Sequence, residues 1–86
     1  MNKKANSFYA DAYQSGTQMV NMQVYTAKAE KIQLRVIDFS GHTIKRESWN
    51  LSAGSNNKNI DLKNGSYILE WKKENGDALN QKIIVK

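Results

Sequence analysis

From Met19 onward, apolar side chains recur at every second position, and short clusters of turn-forming residues separate the runs in which they do so. The three-to-four spacing of an amphipathic helix is absent. A period of two sends neighbouring side chains to opposite faces of a strand, so each run needs one face covered and can leave the other in water. In MVNMQVY, Val20, Met22 and Val24 share a face, and in IQLRVIDF, Ile32, Leu34 and Val36 oppose Gln33 and Arg35. The intervening AKAEK reads as a loop. Ser40-Gly41 then predicts a tight hairpin into a strand over 42–51. SAGSNNKN, 52–59, reads as a polar loop before a short strand, NIDL, at 59–62. Asn64-Gly65 turns the chain into SYILEWKK, where Tyr67, Leu69 and Trp71 share a face. Asn75-Gly76 predicts a type I′ hairpin, and ALNQKIIVK returns with Leu79, Ile83 and Val85 inward. No proline interrupts any run.

That makes six strands, with a seventh near Phe8-Tyr9. The expected fold is an all-β, immunoglobulin-like β-sandwich of about seven antiparallel strands, because a single open sheet would leave one apolar face wet. A small barrel is the alternative. At 86 residues the chain reads as one domain, 1–86, with residues 1–7 expected to be flexible. Tyr67 follows a glycine turn at the start of the penultimate strand, where sandwiches place a tyrosine corner whose hydroxyl bonds back to the preceding backbone.

Composition narrows the chemistry. There is no cysteine, so disulfides and thiolate metal sites are excluded. Thirteen basic and eight acidic residues give a net charge of +5, but acids fall between many of the lysines along the chain. The expectation is a solvated basic surface and no nucleic-acid partner, since a phosphate backbone needs cations gathered on one face. MNKKANSFYADAYQ has a charged opening with no apolar core behind it, and no run is long enough to span a bilayer, so no membrane insertion is expected. Either the chain is cytoplasmic, if Met1 is its true start, or it is part of a longer secreted polypeptide.

Catalytic groups are sparse. Asp38, Ser40 and His42 alternate like a triad, but they straddle a predicted turn that should carry His42 away from Ser40. One histidine and scattered carboxylates lack metal-ligand spacing, and GSNNKN is not a phosphate loop, since no GKS or GKT follows a strand into a helix. No enzyme activity, metal or cofactor is expected. Trp49, Trp71, Tyr67 and Arg35 offer a candidate stacking surface for a sugar or a single strand.

Taken in order, Asp38, Gly41 and Lys45, then Gly54 and Asn56, then Leu62, Gly65 and Tyr67, and finally Lys82, Ile83, Ile84, Val85 and Lys86 follow a recognisable pattern. From Arg35 to Lys86 the sequence resembles the type A C-terminal sorting domain of cargo proteins of the type IX secretion system. FYADAYQSG stands where that family has YPNP, with Ala10 and Ala12 in place of both prolines. The resemblance implies an immunoglobulin-like sandwich without chemistry of its own, attached behind a cargo domain. Its partners would be secretion proteins at the outer membrane that read residues Lys82 to Lys86, by strand addition or by capture of the terminal carboxylate. Cargo would reach the cell surface or be secreted, and a sortase would remove the domain. Two other classes of function compete: an immunoglobulin-like adhesive domain binding protein or glycan, and a small oligonucleotide-binding barrel.

Overall fold

Seven strands carry the alternation in the computed structural model, which describes residues 8 to 86. They are β1 (Phe8–Gly16), β2 (Met19–Thr26), β3 (Glu30–Asp38), β4 (Thr43–Leu51), β5 (Gly54–Asp61), β6 (Gly65–Lys73) and β7 (Ala78–Val85). Every pairing is antiparallel. One sheet has the order β1-β2-β5 and the other β4-β3-β6-β7. Labelled A to G in chain order, these are A-B-E and D-C-F-G, an immunoglobulin-like arrangement in which the fourth strand has moved onto the C-F-G sheet. The expectation for residues 1–7 lies outside the described residues.

The inward positions are those the alternation assigns. Val20, Met22 and Val24 of β2 meet Ile32, Leu34 and Val36 of β3 and Leu69 and Trp71 of β6, all essentially without solvent exposure. Ile60, Leu62, Ile83 and Val85 close one end of this layer. At the opposite end the buried Thr26 hydroxyl donates to the Glu30 carboxylate, and Lys73 lies 3.5 Å from that carboxylate and 4.9 Å from the centre of the Phe8 ring. On the outside of the smaller sheet, Tyr9 and Tyr25 are direct cross-strand partners with stacked rings 5.3 Å apart.

Three expectations need correction. The polar stretch read as a loop is most of β5, whose eight residues pair without a break with β2. Only Ile60 of β5 is buried, so the ladder itself, helped by the Asn21–Asn59 side-chain bond of 2.9 Å, holds this strand in place. The seventh strand is also far longer than Phe8-Tyr9, running nine residues to Gly16.

The turn at Asn75-Gly76 is likewise not type I′. That turn needs positive φ at both central residues, and of the pair only Gly76 has it, at 101°. Gly76 N–H donates to Lys73 O, and Lys73 N–H donates to Asp77 O. This is a type I turn closed by a glycine bulge. The β3–β4 hairpin repeats it, with Gly41 at φ 91°, Gly41 N–H on Asp38 O and Asp38 N–H on His42 O.

Leu69 is fully buried at the centre of the larger sheet, facing β2. Leu69→Ala is expected to cost about 2–5 kcal/mol in denaturant unfolding, whereas truncating the half-buried Leu79 to alanine costs clearly less.

Candidate functional site

Most of the residues that sequence reasoning singled out gather at the end of the sandwich where β3, β5 and β7 finish and β6 begins, whereas Gly54 and Asn56 lie toward the other end, paired with Thr26 and Val24. Register accounts for this: Asp38 is paired with Tyr67, Tyr67 with Ile83, and Gly65 with Val85. One row across three strands thus carries Asp38, Tyr67 and Ile83.

Each has a structural task that the geometry makes explicit. One Asp38 carboxylate oxygen accepts the backbone N–H of Ser40 and of His42, both at 2.9 Å, fixing the turn that Gly41 completes. Asn56 does the same for the β4–β5 connection. Its Oδ1 accepts Ser52 N–H, and its Nδ2 donates to the carbonyl of Ser52 and, at longer range, to those of Gly54 and Val24. Gly54 has φ 104°, which a residue with a side chain adopts only at a cost. Tyr67 buries its ring and donates its hydroxyl to Lys63 O at 2.7 Å, the bond that defines a tyrosine corner. Gly65 packs beside that ring, where a Cβ would meet the hydroxyl oxygen at an ordinary contact distance of 3.4 Å, and its φ of 156° is what favours glycine. Leu62 is buried, and its N–H donates to Gln18 O in the β1–β2 turn.

The last strand divides by parity. Ile83 and Val85 are buried at 8% and 2% exposure, while Ile84 is 55% exposed and Lys82 and Lys86 are also exposed. β7 lies at the edge of its sheet, paired on one side with β6. Its other side faces β1 across a seam that sequence reasoning missed. Gln81 Oε1 accepts Ala12 N–H at 3.0 Å and Gln81 Nε2 donates to Ala12 O at 2.8 Å. Gln14 mirrors it, with Oε1 accepting Lys86 N–H at 2.9 Å and Nε2 donating to Lys86 O at 2.8 Å. Each glutamine amide stands in for a peptide group between strands too far apart to pair directly. Two glutamines on facing edges were the available signal, but nothing in the sequence says that β1 and β7 are neighbours.

Ala12, which the sequence resemblance sets in the place of a family proline, lies before the matched residues 14–86. Its N–H is committed to Gln81, and a proline has none to give.

Other candidates are not assembled. Trp71 is fully buried, Tyr67 nearly so, and Trp49 half-buried, with Lys58 Nζ 5.8 Å from its ring centre. They form no open stacking surface, and Arg35 is engaged instead with Glu70 at 3.0 Å. Within DFSGH, Asp38 Oδ2 lies 3.8 Å from Nδ1 of an exposed His42, and no hydrogen bond joins the Ser40 hydroxyl to His42 among the described residues. Nor do these residues contain a group of three or more His, Asp or Glu side chains placed to hold a metal ion.

The geometry defines a small β-sandwich in which Asp38, Asn56 and Tyr67 fix connections and whose last strand lies at a sheet edge. The model of the secretion system C-terminal sorting domain family matches residues 14–86, and the chain belongs to that family, the sorting tails of type IX secretion. No curated protein matches it.

Tyr67→Phe removes one hydrogen bond and leaves the Lys63 carbonyl to find another partner, so a loss of about 1 kcal/mol in chemical denaturation is expected. Ala12→Pro is expected to cost roughly 1–3 kcal/mol by stranding a half-buried amide oxygen, and distinctly less when Gln81 is already alanine. Equal costs in the two backgrounds would mean that the bridge contributes nothing.

Proposed function

We propose that this chain is the non-catalytic export label of a secreted or cell-surface precursor, read by the secretion machinery at the outer membrane through Lys82, Ile83, Ile84, Val85 and Lys86. An N-terminal cargo domain travels with it. Family membership supports the sorting role. The single observation that carries the choice of residues is the exposure of Ile84 between two buried neighbours on an edge strand.

The two parities of β7 then have different work. Ile83 and Val85 anchor the strand in the core, while Lys82, Ile84 and Lys86 present a basic and apolar strip to a partner. Extended recognition of this kind takes affinity from backbone groups and specificity from alternate side chains. Backbone pairing at this edge competes with the glutamine bridges to β1, so a partner strand must displace Gln14 and Gln81 before it can pair along the full length of β7. Lys82 and Lys86 keep the edge from pairing indiscriminately with other strands.

Deleting the last strand tests this poorly, because it removes two core side chains along with the exposed ones. The informative variant is Lys82→Glu with Ile84→Asp, which changes only exposed positions. Fused behind an exported reporter in a host that has the secretion system, it is expected to reduce surface delivery about tenfold or more, the loss that ~1.4 kcal/mol of binding produces. Its unfolding midpoint should stay close to that of the parent. Full delivery by this variant refutes the assignment of these residues.

A further inference from the structure

Strand alternation places Lys31 and Arg35 of β3, Arg46 of β4, Lys72 of β6 and Lys82 of β7 on the outer face of the four-stranded sheet. Only one carboxylate, Glu70, lies among them. Four net positive charges therefore sit on this face, and the other described residues together carry one net negative charge. Cations that look interspersed with acids along the chain are gathered by the fold, contrary to the expectation from spacing alone.

Their local arrangement is unfavourable for stability. Arg35 and Arg46 are direct cross-strand partners, a placement that like charges destabilise. Glu70, opposite Arg35 on the other side, bonds Arg35 Nε and relieves one guanidinium. Arg46, Lys72, Lys31 and Lys82 have no ion-pair partner among the described residues, whereas Lys45, Lys58 and Lys73 elsewhere each lie against a glutamate. Arg35, Arg46, Glu70 and Lys72, with Gln33, line an open depression of about 280 Å³.

The same face is apolar toward the end where β7 finishes. Ile68 and Ile84 are exposed, and Phe39, at the tip of the β3–β4 turn, is 86% exposed. A second depression of about 240 Å³ is lined by Phe39, Ile68 and Lys82 together with Asp38, Ser66 and Tyr67, so one further carboxylate borders the apolar end. Contiguous exposed apolar side chains mark a surface that another body covers, and their union with unpaired cations selects a body that is both acidic and apolar.

We infer that the outer face of the β4-β3-β6-β7 sheet is an adsorption surface for a lipid bilayer rich in anionic headgroups. Arg46, Lys72, Lys31 and Lys82 meet the headgroup phosphates, and Phe39, Ile68 and Ile84 rest at the boundary with the acyl chains. The domain lies on the bilayer without crossing it. Charge complementarity commits the occupant to an acidic surface, and the apolar half commits it to a lipid one. A single-stranded nucleic acid would need a series of exposed rings to stack successive bases on, and this face offers Phe39 alone, with Trp71 and Tyr67 in the core. The inference stands apart from the export reading, since it rests chiefly on β3, β4 and β6.

The test is co-sedimentation of the full chain with vesicles of neutral phosphatidylcholine, alone or mixed with anionic phosphatidylglycerol. Binding to the mixed vesicles and not to the neutral ones is expected. It should fall at least about tenfold when salt rises from about 0.1 M to about 1 M, as the screening length shrinks from about 10 Å to about 3 Å. Arg46→Glu with Lys72→Glu should abolish it with the unfolding midpoint retained, and Phe39→Ser should weaken it several-fold. No binding to the acidic vesicles at low salt overturns the inference, as does equal binding to both vesicle types or binding unchanged by the double variant. Polyphosphate in solution is the remaining arm: if it binds as tightly as the vesicles and Phe39→Ser changes neither, the face is a site for soluble polyanions and the bilayer assignment is wrong. Lys82 and Ile84 belong to both readings, so the two are separated by the Arg46 and Lys72 double variant, which leaves both residues in place: it should lose vesicle binding and keep surface delivery.

Discussion

The pairing of β3 with β6 is the constraint on which the rest of the molecule depends. These are the two inner strands of the larger sheet, and they contribute Ile32, Leu34, Val36, Leu69 and Trp71 to one face of the core. A slip of one residue would exchange those side chains for Gln33, Arg35, Glu70 and Lys72 and leave the smaller sheet with nothing to pack on. The same register sets Asp38 beside Tyr67, and therefore the β3–β4 turn beside the tyrosine corner and the end of β7. On the opposite face it sets Ile37 beside Ile68, and Ile68 beside Lys82. Core, turns and surface pattern are consequences of one alignment.

Seen this way, the recurrent residues of the sorting-domain pattern divide by physical task. Asp38 and Asn56 satisfy backbone groups in connections that have no ladder of their own, and Tyr67 reaches back to the Lys63 carbonyl. Gly41, Gly54 and Gly65 supply backbone angles that other residues avoid. A pattern made of turn-fixing residues preserves a shape.

Much of this was legible in the sequence because the period of two is strong wherever a strand has a buried face. β2, β3, β6 and β7 could be read directly from Val20, Leu34, Leu69 and Val85 and their neighbours. β5 was hidden for the same reason: with a single buried side chain it is written in asparagine, serine and lysine, and only its partner β2 makes it a strand. The type I turn at Asn75-Gly76 was misread because asparagine before glycine suits two hairpin types, and the number of residues in the loop decides between them. At the site, Asp38, Gly65 and Tyr67 were visible as local chemistry. The glutamine seam and the cationic face were not, since both arise between strands that are distant in sequence and adjacent only after folding.

The seam has a mechanical meaning as well. Within each sheet, strands are stitched peptide to peptide, but β1 and β7 are held by two rotatable side chains that grip backbone atoms. Such a clasp opens by changes in side-chain torsion, with both ladders left whole. The margin of the sandwich along β7 is thus closed by side chains, over the buried Ala12, Ile83 and Val85, where strand borders within each sheet are closed by ladders.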